Sequence, residues 1–321
     1  MADYRVLLVE RIDPRAIELL STVAEVVYAD AFDEETLIRQ ANDVDGIIFR
    51  ARGTASRRLM ENAPRLKVVA RHGVGVDNID VEAASELGIQ VVNTPEANSE
   101  SVAEHTIGVM LALSKLIVRV DRALRRGQWR AESEFRGSEV RGKTLGIVGA
   151  GRVGTRVAEI AHKGLDMHTL YCDVVPNRNI EQWGARRCEL DELLREADYV
   201  SLHVPLSSET THLIGERELS LMKPTAYLLN LSRGQVVDER ALIRALQTGQ
   251  IAGAGLDVFE TEPLPPDSPL TTMENVVITP HMASHTREAL LAMAMVVRDV
   301  IAVLQGHAPR FPVNKPQWRR G

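Results

Sequence analysis

The chain has 321 residues, 45% of them hydrophobic and 26% charged, with a formal net charge of −6. That length predicts about two domains of ~150 residues, the balance is that of an ordinary soluble globular chain, and the acidic surplus argues against nucleic-acid binding as the main activity. Two cysteines, Cys172 and Cys188, form no disulfide framework and fit a reducing compartment. The N-terminal segment enters a strand at once, without the apolar run and small-residue cleavage site of a signal peptide. No stretch approaches the ~18 uninterrupted apolar residues of a membrane span. The expectation is a cytoplasmic protein without membrane or nucleic-acid partners and without a metal.

Residues 4–9 read as a buried parallel strand. Helical spacing follows over 14–21, with Asp13 as N-cap and Pro14 at the first helical position. Next come a strand at 25–28, an Asp33-capped helix at 33–41, and a strand at 46–49 that ends in Arg50-Ala-Arg-Gly-Thr54. A short helix at 57–62 precedes a strand at 66–70, then the loop Arg71-His-Gly-Val-Gly-Val-Asp-Asn-Ile-Asp80, a helix at 81–87 stopped by Gly88, and a strand at 89–93. Strand and helix alternate, which predicts a parallel sheet with helices on both faces. One long helical stretch over 98–126 reads as a crossing between domains. The polar segment 127–142 reads as an arm, with Trp129 and Phe135 as isolated anchors.

Beyond it lies Leu145-Gly-Ile-Val-Gly-Ala-Gly-Arg-Val-Gly154, a short buried strand running into G-x-G-x-x-G and a helix over 152–162. Gly149 permits the tight turn, Gly151 lets a pyrophosphate approach the backbone, and Gly154 lets the helix lie close to the sheet. Free amides at the helix start face the phosphates. A second strand at 167–172 ends in Asp173, 19 residues after Gly154, where a ribose-binding carboxylate is expected. Asp173 favours NAD, because it would repel the 2′-phosphate of NADP; Arg178 nearby softens that preference. A helix at 189–196, strands at 199–203 (closed by Pro205), 225–230, 252–258 and 275–278, a helix at 238–248 and a final helix at 286–304 complete the chain.

Ligands of parallel α/β sheets gather at the carboxyl ends of strands, so the polar residues placed there are the candidates: Arg50, the 72–76 loop, Asp173, Arg233, Asp257, Glu262 and His281. Reduction of a 2-oxo acid needs a cation on the carboxylate and carbonyl and an acid for the developing alkoxide. Arg233 supplies the first with a two-pronged guanidinium. His281 supplies the second, because imidazole titrates near neutral pH, and Glu262 orients it. The backbone N–H groups of Gly73, Val74 and Gly75 offer a carboxylate site. Taken singly, each residue has a plain reading as a solvated charge or a loop residue. Their shared placement after strands of a dinucleotide-type domain favours the chemical one.

Ser232-Arg233-Gly234, Gly255-Leu-Asp-Val-Phe-Glu-Thr-Glu262-Pro263 and Thr279-Pro-His281 resemble the signature blocks of the D-2-hydroxyacid dehydrogenases. Gly73-Val-Gly-Val-Asp-Asn-Ile-Asp80 and the run from Asn93-Thr-Pro95 through Glu104-His105 look most like the phosphoglycerate dehydrogenase branch, in a short form without a regulatory domain. The resemblance implies an α/β architecture of two Rossmann-like/flavodoxin-like parallel-sheet domains with a cleft between them: a discontinuous substrate domain, 1–98 and 285–321, and an NAD-binding domain, 99–284. It implies Arg233, Glu262 and His281 as the catalytic trio, with Asp257 on the nicotinamide carboxamide. The full NAD site is then expected at Gly149, Gly151, Arg152, Val153, Gly154, Asp173, His203, Pro205, Ser232 and Asp257, and the substrate at Arg50, His72, Gly73, Val74, Gly75 and Arg233. It also implies a homodimer built around the cofactor domains.

The expected activity is hydride transfer between NAD(H) and a small anionic 2-hydroxy or 2-oxo acid, such as a 3-phosphoglycerate-like or hydroxypyruvate/glycerate substrate. The alternatives are an NADPH-preferring glyoxylate or hydroxypyruvate reductase, and a non-catalytic NAD(H)-sensing protein of the corepressor kind. His72 and His285 depart from the small residues expected at their positions. They read either as marks of a different acidic substrate or as solvent-facing side chains. Arg50 or Arg52 is expected to bind a distal anionic group.

Overall fold

Short apolar runs alternate with capped helices along the chain, and the computed structural model, which describes residues 3–129 and 135–316, pairs them into two all-parallel sheets. The chain divides into two compact units, Met1–Asn98 with His285–Gly321, and Ser99–Ser284.

In the first unit, β1 (Tyr4–Leu8), β2 (Ala24–Tyr28), β3 (Gly46–Phe49), β4 (Val68–Arg71) and β5 (Gln90–Val92) lie in the order β2-β1-β3-β4-β5, the flavodoxin-like arrangement. Asp13 and Asp33 cap their helices by accepting from the Arg15 and Thr36 amides, which satisfies donors that a helix start leaves orphaned. Alternate strand residues face opposite sides. Leu7, Ile47, Phe49 and Val69 pack under Leu37, Leu59 and Ala83. Val6, Leu8, Ile48 and Val68 are covered by Val297, Val300 and Leu304, which return from the end of the chain. That last segment is two helices, Arg287–Ala294 and Val297–Leu304, rather than the single one expected. At the break the amides of Val296 and Arg298 reach carbonyls only three residues back.

In the second unit, β6 (Thr144–Val148), β7 (His168–Cys172), β8 (Arg186–Arg187), β9 (Tyr199–Leu202), β10 (Tyr227–Asn230), β11 (Gly253–Leu256) and β12 (Val276–Ile278) lie in the order β12-β11-β10-β9-β6-β7-β8. The direction of winding reverses between β6 and β9. This is the Rossmann order with one further strand. Two-residue β8 and the short helices Arg178–Glu181 and Glu216–Leu221 have no counterpart in the sequence reading, being too short for a periodic signal.

The long stretch over 98–126 is also two helices, Ser99–Ser114 and Ile117–Arg125, bent by 60°. The cause is local competition for Ser114. Its carbonyl accepts from the Ser138 amide instead of continuing the helix, and its hydroxyl donates to the Met110 carbonyl and meets the Tyr199 hydroxyl at 2.8 Å. Leu116 turns the chain with φ +57°. Of the two expected anchors, Phe135 is partly buried with the Arg119 guanidinium 5.5 Å from its ring, but Trp129 is 76% exposed among the described residues. Part of the expected arm, 130–134, lies outside the described residues, as does 317–321. No single helix among the described residues is long and apolar enough to cross a membrane.

Helix Ser99–Ser114 lies close on the sheet because Gly255 has no side chain: a β-carbon there would sit 2.3 Å from Val109 Cγ1.

The Ser114–Tyr199 pair makes an asymmetric prediction. Tyr199→Phe leaves Ser114 bonded to Met110 and is expected to cost about 1 kcal/mol. Ser114→Ala strands the Tyr199 hydroxyl, whose residue is only 2% exposed, and is expected to cost more, about 1–3 kcal/mol. Urea unfolding of both variants checks the order.

Candidate active site

The glycine turn sits where the second sheet reverses its winding. Gly149 leaves β6 with φ +93°, donates to the Cys172 carbonyl, and is so close to β9 that a β-carbon would lie 2.8 Å from the His203 backbone. At Gly154 a β-carbon would lie 2.2 Å from the Gly149 carbonyl oxygen, so only glycine allows helix Arg152–Leu165 this approach. At Gly151, the N-cap of that helix, a β-carbon would meet nothing within 4 Å. No protein atom requires glycine there, and the space stands over the orphan amides of the first turn, which Arg152 and Val153 begin. That open space is what a dinucleotide's pyrophosphate would occupy.

Asp173 follows β7 and is locked in place: one carboxylate oxygen accepts from the Ala150 amide at 2.7 Å, the other from Val175 at 3.0 Å. Asn177 closes the other side, donating to the Ala150 carbonyl and to Thr155. His203 follows β9 with its Nε2 2.8 Å from the Ser201 hydroxyl, and burial pushes its pKa down to about 4, so the imidazole is neutral at pH 7. Pro205 continues that loop and its carbonyl accepts from Thr210. Ser232 follows β10 and donates to the Asn230 side chain through both its amide and its hydroxyl. The residues present therefore fit a dinucleotide: an open phosphate cradle at Gly151 and, after the neighbouring strand, an acid oriented by two backbone amides. Among the described residues no group of three or more His, Cys, Asp or Glu is placed to hold a metal ion.

The expected trio converges. His281 Nδ1 lies 2.7 Å from Glu262 Oε2, and the other Glu262 oxygen accepts from the Phe259 amide. Burial would raise the Glu262 pKa, but the His281 hydrogen bond and charge, the Phe259 amide and the Arg233 guanidinium together hold it below the usual carboxylate range. Arg233 is fixed by donating to the Ser232 carbonyl, while Asn230 donates to the Arg233 carbonyl. Gly234 is pressed against the Phe259 backbone, where a β-carbon would lie 1.9 Å away. His281 keeps 52% of its side chain exposed, with Nδ1 on Glu262.

Asp257, expected on the nicotinamide, also has a structural employment. It is 1% exposed. Its Oδ1 accepts from the Thr279 hydroxyl and the Met282 amide, and its Oδ2 from the Ala283 amide, so the carboxylate holds the loop that carries His281. Its carbonyl accepts from the His281 amide at 2.7 Å, fixing His281 at φ +50°. Sequence reasoning missed Thr279 as a partner here, and Asn177 at the cradle.

In the first unit, Arg50 ends β3, and the loop after it is held by Glu10, one of whose oxygens accepts from the Ala51 and Arg52 amides. Arg52 stacks over Phe32 at 4.9 Å. Gly73 and Val74 have their carbonyls taken by Thr94 and Asn93. In a trans peptide the next N–H points the other way, so the Val74 and Gly75 amides face away from these anchors. His72 does not face solvent. It is 3% exposed, with the Arg50 charge and the Leu290 backbone beside it, and burial first and Arg50 second push its pKa down to about 4. His285 is exposed.

Residues 107–283 match the family model "D-isomer specific 2-hydroxyacid dehydrogenase, NAD binding domain". A glyoxylate reductase of Aeropyrum pernix is 45% identical over 97% of this chain and 96% of its own. A D-3-phosphoglycerate dehydrogenase of Methanocaldococcus jannaschii is 42% identical over 97% of this chain and 60% of its own. Among solved structures, the NADPH-dependent glyoxylate/hydroxypyruvate reductase of Sinorhizobium meliloti, in complex with NADP and malonate, superposes with a TM-score of 0.88 at 34% identity, covering 100% of this chain and 99% of that one.

Buried, neutral His72 makes a pH prediction. Its native pKa is about 4 against an ordinary 6.5. Between those values the unfolded state binds more protons, so stability falls as pH drops through that window. His203 adds to the same slope. His72→Gln is expected to lose less stability than wild type on going from about pH 7 to about pH 4.5 in urea unfolding; an unchanged slope would remove His72 from the account.

With its cofactor-type sheet and the Arg-Glu-His cluster at the ends of β10, β11 and β12, this chain belongs to the D-isomer-specific 2-hydroxyacid dehydrogenase family, whose members are oxidoreductases acting on 2-hydroxy and 2-oxo acids.

Proposed function

We propose that this protein is an NAD(H)-dependent dehydrogenase of a small anionic 2-hydroxy acid, working through Arg233, Glu262 and His281. The observation that carries the reading is the 2.7 Å Nδ1–Oε2 contact between His281 and Glu262, with the Arg233 charge bearing on the same carboxylate. A nicotinamide dinucleotide, when bound, supplies or accepts the hydride. Arg233 binds the substrate carboxylate and polarises the carbonyl. His281 gives its proton from Nε2 to the carbonyl oxygen during reduction and takes it back during oxidation. Glu262, held ionised at neutral pH, orients the ring through Nδ1 and balances the charge of the imidazolium. On the first unit, the Val74 and Gly75 amides and Arg50 are assigned to the anionic groups of the substrate.

Relatives of the family include both glyoxylate reductases and D-3-phosphoglycerate dehydrogenases, and Arg50 supports a substrate with a distal anionic group, which glyoxylate lacks. The test is NADH oxidation against glyoxylate, hydroxypyruvate, its 3-phosphate, oxaloacetate and sulfopyruvate. His281→Ala is expected to lower kcat by about 10²–10⁴-fold on the preferred acid, while NADH binding is retained. A wild-type rate in that variant would exclude His281 from proton transfer. Tight NADH binding without turnover of any acid would favour a sensing role.

Asp173 supports NAD over NADP. A carboxylate about 4 Å from a 2′-phosphate is repelled by about 4 kcal/mol per unit charge pair at an effective dielectric of about 20. The NADPH reading has one observation in its favour: the Arg187 guanidinium sits on the Asp173 and Val174 carbonyls, beside the same position. Asp173→Ala is expected to raise kcat/KM with NADPH relative to NADH by at least about tenfold, about 1.4 kcal/mol. A wild-type preference for NADPH would overturn the NAD assignment. The assembly is read as a homodimer, supported by the exposed apolar side chains Ile117, Val120 and Leu124 along one helix, with Trp129 following.

A further inference from the structure

Helix Ser99–Ser114 touches the catalytic loop at both ends. The Ser101 hydroxyl donates to the Ala283 carbonyl at 2.6 Å. One turn further along, on the same helix face, His105 Nε2 lies 3.1 Å from the Thr279 hydroxyl oxygen. That hydroxyl donates to Asp257 Oδ1 at 2.6 Å, so its oxygen is left to accept, and His105 must donate from Nε2. The segment gripped this way, Thr279 to Ala283, carries His281 at its centre, in the left-handed backbone region. Such a conformation is unfavourable for a non-glycine residue and persists only when its surroundings over-determine it. Asp257 fixes the segment from below through three donors and its own carbonyl. Ser101 and His105 fix it from the helix.

We infer that Ser101 and His105 are positioning residues for proton transfer: together they clamp the Thr279–Ala283 segment so that His281 is presented to Glu262 and to the substrate at one fixed place. The inference rests on the proposed role of His281. It assigns a use to His105, which neither the cofactor cradle nor the trio employs. His105 touches no reacting atom. It acts through Thr279, by donating the hydrogen bond that leaves the threonine hydrogen free for Asp257.

The chemistry selects the variants. Glutamine offers an amide N–H at nearly the reach of Nε2, whereas alanine offers none. Thr279→Val keeps the shape and removes both hydrogen bonds of the hydroxyl, and it stands in if His105→Ala fails to fold. Placement errors of about 1 Å cost up to about 10²-fold in rate, so His105→Ala and Thr279→Val are each expected to lower kcat with the preferred oxo acid by about ten- to a hundredfold. KM for that acid and Kd for NADH are expected to stay within about twofold, because the clamp acts on the placement of His281. The solvent deuterium isotope effect on kcat should rise as proton delivery becomes slower than the other steps, and His105→Gln should recover most of the lost rate. His281→Ala is measured alongside. If His281→Ala is slow while folded His105→Ala and Thr279→Val keep the wild-type kcat and isotope effect, the clamp is overturned and the trio stands. Loss of kcat that His105→Gln does not recover, or an equal rise in Kd for NADH, also overturns it. If His281→Ala keeps the wild-type rate, the trio falls and the clamp with it.

Discussion

The carboxylate of Asp257 is removed almost wholly from water, and a charge in that position is tolerable only when hydrogen bonds compensate it. Three donors do so, two on Oδ1 and one on Oδ2, and all three belong to the few residues around His281. Desolvation thus turns into geometry: the cost of burying the charge is offset only when the loop closes on it in one conformation, and that conformation is the one that turns the His281 ring toward Glu262. The backbone carbonyl of the same aspartate receives the His281 amide. The arrangement of the trio therefore depends on a buried carboxylate that is not one of the three.

The same economy holds at the cofactor cradle. Asp173 is held by the Ala150 amide and Asn177 holds the Ala150 carbonyl, so the middle residue of the glycine turn is tied on both sides by the chain that follows β7. The turn is fixed before any ligand arrives, which spares binding the entropy of ordering it. Both sheets place their polar loops at the carboxyl ends of their strands, and the cradle stands where the second sheet reverses direction.

Local signals were legible in the sequence because their causes are local. Asp13 and Asp33 cap helices whose amides lie two or three residues away. The spacing of Gly149, Gly151 and Gly154 states how closely strand, turn and helix approach. Arg233, Glu262 and His281 could be named because each follows a strand. What stayed hidden has partners far along the chain. The helix break at Leu116 depends on Ser138 and Tyr199 drawing on Ser114. Asp257 reads as a ligand-facing acid, and nothing local tells that Thr279, Met282 and Ala283 also bond to it. His72 reads as either a substrate-side or a solvent-facing residue, and only the fold shows it buried beside Arg50. No periodicity encodes these, since they arise from topology.

Gly255 links the thickness of the fold to its chemistry. With a hydrogen as its side chain, it lets helix Ser99–Ser114 settle onto β11, with Val109 where a β-carbon would otherwise be. That depth of seating is what brings Ser101 and His105 within hydrogen-bond reach of the loop beyond the strand ends. A methyl group in the floor of the domain would lift the helix like a shim under a rail. The displacement would emerge at the far end as a misplaced proton donor, with the substrate, the dinucleotide and the trio all chemically intact.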